Sequence, residues 1–319
     1  GPHTVRSVGM AMAMQGSGIG GVDVGSVQLK LNDDGFYTLM IGCSDMGTGC
    51  DTILAQMAAD GLGCDMDNII VRGVDTDQSP YDSGSYASST TYVTGGAVVK
   101  ACESMRKRIC EEAAAIMGLK SGEVDFDGET ISENDNPEHS MTLSDLITSL
   151  EAGNGRIIEV TESHTSPVSP PPFMAGAAEI EVDLETGKIT PINYVAAVDC
   201  GTVINTNLAR IQTEGGIVQG MGMTLYEDVQ YTEAGKMKNR NFMSYKIPTR
   251  LDMGSISVEF ESSYEQTGPY GAKSIGEIVI NTPAPAIADA VYNATGLRFR
   301  TLPITAEQVM MGLLEREEA

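Results

Sequence analysis

The sequence predicts an α+β protein of two lobes. Its strands pair through short turns, its helical stretches stand apart from those pairs, and a proline-rich segment divides the chain near the middle. The expected lobes are residues 1–165 and 166–319, each combining hairpin-rich mixed sheets with packed helices. A chain of 319 residues is long enough to bury a sizeable core in such an arrangement.

The elements follow in order. "SVQLKLNDDGFYTLMIG" (26–42) alternates apolar and polar residues on either side of Asp33-Asp34-Gly35, which reads as two strands and a turn. "CDTILAQMAADGLG" (50–63) has helical apolar spacing, with Asp51 or Thr52 as cap and Gly61 or Gly63 as terminator. "NIIVRGV" (68–74) is a short strand, and residues 91–118 form a long helix with a glycine-rich first turn. Residues 119–165 are polar and carry one short helix near 142–153. "SHTSPVSPPPF" (163–173) is the expected linker, because proline interrupts regular structure. A second hairpin spans 175–201, turning at 185–188. A helix with small residues on one face then leads into a strand over 207–228. A strand at 255–263 and helices at 281–296 and 305–318 complete the chain.

The formal net charge is −24, a field that repels nucleic acid and anionic membrane surfaces, so neither is an expected partner. No apolar run approaches the ~18 residues of a membrane span. The first residues lack a basic head followed by an apolar block, so no secretory signal is expected. Cysteines stand at 43, 50, 64, 102, 110 and 200 without a C-x-x-C pair, and histidines only at 3, 139 and 164. That pattern predicts no zinc or iron–sulfur site held by this chain, and free thiols in a reducing cytoplasm.

Three glycine-rich polar loops each lie between a strand and a helix start: 42–52, 75–91 and 199–216. Glycine permits close backbone approach and helix N-termini present N–H groups, so converging loops of this kind suit a large phosphorylated ligand. A fourth segment, "GAKSIGE" (271–277), places the single carboxylate of Glu277 at a glycine-bounded corner. On residue type alone Glu277 either caps the following helical segment or does chemistry. Tyr81, Tyr86 and Tyr270 either line a ring pocket or pack, and Arg210 either meets an anion or lies on the surface.

These segments, in this order, resemble the molybdenum hydroxylase family, that of xanthine dehydrogenase and aldehyde oxidoreductase. "CSDMGTGCDT", "SYASSTTYVTG", "VDCGTVINTNLARIQTEGGIVQGMG" and "GAKSIGE" resemble four collinear motifs in the C-terminal half of its molybdopterin-binding subunit. The resemblance implies a molybdopterin cofactor, in its cytosine dinucleotide form, whose dithiolene sulfurs hold the molybdenum, so that no protein ligand to the metal is expected. It implies cofactor contacts at Gly47, Thr48, Gly49, Ser85, Ala87, Ser88, Ser89, Gln212 and Lys273. Thr48 stands where the family commonly has Gln. Glu277 matches the family's catalytic base, in a hydroxylation that takes its oxygen from water. The family's first half, with its own motif near the metal, has no counterpart here. The chain is therefore similar to one part of a split subunit, such as the medium subunit of bacterial nicotinate dehydrogenases. This implies three partners: a large molybdopterin subunit, an iron–sulfur subunit and an FAD subunit. The expected substrate is a small N-heteroaromatic ring, nicotinate first. Purine or aldehyde oxidoreductase and hydroxybenzoyl-CoA reductase are the alternatives, with a non-catalytic scaffold as the reading of another class.

Overall fold

The computed structural model describes residues 3–317. Strand β1 (Thr4–Met14) opens the chain, followed by the hairpin of β2 (Gly25–Leu31) and β3 (Tyr37–Ile41), turned where expected. Helix α1 (Cys50–Leu62) leads to β4 (Ile69–Gly73), which runs parallel to β3. A π-helical turn at Thr90–Thr94 continues into α2 (Gly95–Met117), as the long helix predicted. Next come β5 (Val124–Phe126), β6 (Thr130–Glu133), β7 (Asn136–Thr142), α3 (Leu143–Asn154) and β8 (Ile158–His164). The second half contains the hairpin of β9 (Phe173–Asp183) and β10 (Ile189–Asp199), then α4 (Thr206–Leu225) and β11 (Ser255–Phe260). Helices α5 (Ile278–Asn281), α6 (Pro283–Thr295) and α7 (Ala306–Glu317) end it.

The chain divides into two units whose boundaries are not those of the expected lobes. One unit comprises residues 1–15, 171–263 and 275–319, and the other 16–170 and 264–274. The proline-rich segment does mark one crossing, at Pro170 and Pro171. The N-terminal strand, however, joins the C-terminal half because β1 pairs antiparallel with β9 over its whole length.

In the first unit the sheet order is β1-β9-β10-β11, with β11 parallel to β10. Helix α6 lies on β1 and β9, and α4 packs on α5 and α6. Ile180, Val182, Tyr194, Val198, Ile217, Ile278, Ile287 and Val291 meet in its core. Each large aliphatic side chain fully buried there contributes about 1.5–3 kcal/mol. In the second unit the main sheet runs β4-β3-β2-β8, and α2 packs on β2, β8 and α1. Val27, Leu29, Leu31, Leu39 and Ile41 alternate inward from its central hairpin.

Two expectations need correction. Helix α1 is capped not by Asp51 or Thr52 but by Gly49, with φ of 77° and no side-chain cap bond. No strand directly follows α4: residues 226–254 are irregular apart from an isolated bridge between Tyr231 and Met237. The three-stranded sheet β5-β6-β7 lies in a stretch for which the sequence predicted only a helix. Among the described residues no helix is long and apolar enough to cross a membrane.

Candidate functional site

In the first unit, Glu277 stands at the N-cap position of α5, yet its side chain makes no capping hydrogen bond. Its Oε2 instead accepts from Nε2 of Gln15, the residue that follows β1. Both side chains are part-buried. The helix behind Glu277 is held by close packing. A Cβ on Gly216 of α4 would lie 2.3 Å from Val279 Cγ2, and one on Gly220 would lie 2.8 Å from Pro283 Cγ. The small-residue face read from the sequence is therefore the face on which α4 meets α5 and α6. Gln212 lies one turn earlier on α4, half-buried, and the Asn205 side chain caps that helix by accepting from Leu208 N at 3.1 Å. Asp199 orients its own loop, its Oδ1 accepting from Gly201 N and from the Ser263 hydroxyl. Arg210 is exposed.

The second unit brings the first two glycine-rich loops together. A Cβ on Gly42 would lie 2.3 Å from the Pro80 carbonyl oxygen and 2.7 Å from Asp82 Cβ, so only glycine lets the two loops touch. Within 42–52, Asp45 Oδ1 accepts from Gly47 N at 2.9 Å and Gly49 N at 3.1 Å, and Oδ2 from Asp51 N. Slight burial pushes the Asp45 carboxyl up, but these backbone donors and that of Thr48 outweigh it and hold it below its ordinary value. The N–H groups at the start of α1 are thus already used by an internal carboxylate. Thr48 is half-buried between the two glycines, and open space surrounds the Cβ position of Gly47.

One cluster of potential metal ligands lies in this loop. Asp45, Cys50 and Asp51 are the one such group of potential ligands among the described residues. The carboxylate of Asp45 is taken up by backbone N–H groups, and the Cys50 thiol faces Asp51 Oδ1 at 3.8 Å. The proton that Cys43 shares with Cys50 pushes the Cys43 thiol up and lowers Cys50. None of the six cysteines is in a disulfide.

Loop 75–91 holds Ala87 and Ser88 with φ of 50° and 56°, two successive non-glycine residues in the left-handed region. Such strain persists only where packing imposes it. Here Gly18 N donates to Ala87 O, the Ser89 hydroxyl to Gly84 O at 2.7 Å, and the Thr90 hydroxyl to Ser85 Oγ at 2.9 Å. Ser89 is buried, and Ser85 and Ser88 are half-buried. The same unit takes in residues 264–274, where Lys273 and Ser274 are buried. Tyr270 proves to be packing: its hydroxyl donates to Met57 O at 2.9 Å, and burial pushes it up to about 12. Tyr81 and Tyr86 are exposed.

The structure thus groups Gly47, Thr48, Gly49, Ser85, Ala87, Ser88, Ser89 and Lys273 in one unit, and Gln15, Gln212 and Glu277 in the other. The chain passes between the units at Ser274 and Ile275, inside the "GAKSIGE" motif. Sequence reasoning missed Gln15, whose contact with Glu277 bridges 262 positions. The hydroxyl groups and the strained backbone of loop 75–91 form a donor set that fits a phosphate-bearing cofactor.

The family model described as a molybdopterin cofactor-binding domain matches residues 1–254. A probable hypoxanthine oxidase of Escherichia coli (strain K12) is 33% identical over 310 residues, 96% of this chain and 32% of that protein. A putative xanthine dehydrogenase molybdenum-binding subunit of the same strain is 30% identical, over 91% of this chain and 39% of its own length. The aldehyde oxidoreductase from Desulfovibrio desulfuricans ATCC 27774 superposes with a TM-score of 0.78 at 26% identity, over 98% of this chain and 32% of that one. The chain therefore spans about a third of the first of these relatives. With the matching domain covering most of its residues, the chain belongs to the molybdenum hydroxylase family, as a molybdopterin cofactor-binding member.

Proposed function

We propose that this chain supplies the cofactor-binding loops and the catalytic base of a molybdenum hydroxylase acting on an N-heteroaromatic ring, with nicotinate to 6-hydroxynicotinate as the first candidate reaction. The observation that carries this reading is the state of Glu277. Its carboxylate occupies a cap position without capping, and is held instead by Gln15 on an anchored helix start. A carboxylate oriented in this way is available to take a proton from the reacting group. Gly47, Thr48, Gly49, Ser85, Ala87, Ser88, Ser89, Gln212 and Lys273 would hold the molybdopterin, proposed in its cytosine dinucleotide form. When bound, molybdenum supplies the Lewis-acid and redox chemistry. Electrons would leave through partners: an iron–sulfur subunit and an FAD subunit, beside a large molybdopterin subunit. The free thiols fit a cytoplasmic setting.

A purine is the second candidate substrate, because the two E. coli relatives are named for hypoxanthine and xanthine. Comparing turnover of nicotinate, hypoxanthine and xanthine by the native complex separates the two. The Glu277→Gln variant tests the role itself. Turnover should fall by a factor of about 100 or more while the bound cofactor is retained. Wild-type turnover in that variant would mean that the chain is a scaffold.

A further inference from the structure

The four-stranded sheet of the first unit has one face packed and one face bare. On the packed face the Ser7 hydroxyl donates to Ala290 O, and Ala11 and Ala13 lie against the core. On the other face Val8, Met10, Met12 and Met14 are 52%, 66%, 80% and 69% exposed. The register continues this apolar surface inward: Met14 stands beside Phe173, and Met10 beside Ala177, which in turn stands beside Val195. Phe173 and Val195 are exposed as well. Its margin is charged: Glu179, next to Val8, and Glu181 both pair with Arg6, at 4.0 and 3.1 Å, and Glu259 stands at the far strand. A contiguous apolar centre inside a charged rim is the anatomy of an interface, and methionine suits it because it adapts to an opposing surface.

We propose that this face seats the portion of a molybdopterin subunit that the chain does not span, through a partner surface with an apolar centre. The proposal rests on the function given above. The chain covers 32% and 39% of the two E. coli relatives, and the function given above sets a large molybdopterin subunit beside it. A second copy of this chain fits poorly, since a two-fold contact would bring together two chains of net charge −24.

Methionine oxidation reads the face directly. Dilute hydrogen peroxide transfers one oxygen atom to the thioether sulfur and leaves water. Met10, Met12 and Met14 should oxidise at least 10-fold more slowly in the native complex than in the isolated chain. The Met10→Glu, Met12→Glu double variant should co-purify at least 10-fold less of the partner whose sequence matches the missing portion, with its Tm held. Equal oxidation rates in complex and isolated chain would overturn the proposal, as would full assembly by the double variant. Slow oxidation in the isolated chain that quickens on dilution would mean that a second copy covers the face, and would also overturn it. A protected face in a complex without molybdenum would leave the docking standing and refute the function. A molybdenum-loaded complex with freely oxidised β1 methionines would do the reverse.

Discussion

Two side chains carry the proposed chemistry. Glu277 was legible because a lone carboxylate between glycines and apolar residues stands out, and because "GAKSIGE" lies in ordered company with three other motifs. Gln15 was not legible: nothing in "MAMAMQGSG" marks it, and its partner lies 262 positions away. In the proposed reaction it is a positioning residue, its amide holding the carboxylate of Glu277. Gln15→Leu should lower kcat by about 10–100-fold, as misplacement of a reacting group does. Molybdenum content and Tm should stay at wild-type values, as metal analysis and a thermal melt would show. An unchanged kcat would mean that the contact does not orient the base.

Elements were legible where hydrophobic periodicity is strong and opaque where it is not. The period-2 pattern of β2 and β3 and the helical spacing of α1 and α2 were readable because one face of each is buried. Strand β7, "NPEHSMT", is exposed along almost its whole length and offers no alternation to read. The pairing of β1 with β9 was hidden for another reason: local pattern carries no information about partners so distant in the chain. Helix α4 provides a matched pair of tests. In a helix interior Ala is favoured over Gly by about 1 kcal/mol. Gly215 faces open space, so Gly215→Ala should raise Tm. At Gly216 the new Cβ would lie 2.3 Å from Val279 Cγ2, and overpacking of this kind costs about 1–3 kcal/mol. Gly216→Ala should therefore lower Tm, and a melt showing both variants shifted the same way would refute the packing account. The loop before α1 gives a pH test. The Asp45 carboxyl is held below its ordinary value of ~4. The stability it adds is fully present above that value and is lost as pH falls through the lower folded value. Asp45→Asn should be less stable than wild type at pH 7, and the gap between their Tm values should close as the pH is lowered below ~4.

For the whole molecule, the motifs point to candidate site residues but not to how the chain shares them out. Two units divide the candidate site residues, with the crossover inside the motif that carries Glu277. A linear lobe boundary could not show this, because segments 1–15 and 264–274 each join a unit formed mostly by distant sequence. The net charge of −24 and the bare methionine face belong to the same scale: the first disfavours nucleic acid, and the second is the face on which docking is proposed. The central claim, that these loops hold a molybdenum cofactor, is tested most directly by metal analysis of the untreated native complex purified through this chain, with its co-purifying subunits identified. The account predicts about one molybdenum atom per copy of this chain, together with an iron-rich partner. An intact complex containing no molybdenum would contradict it.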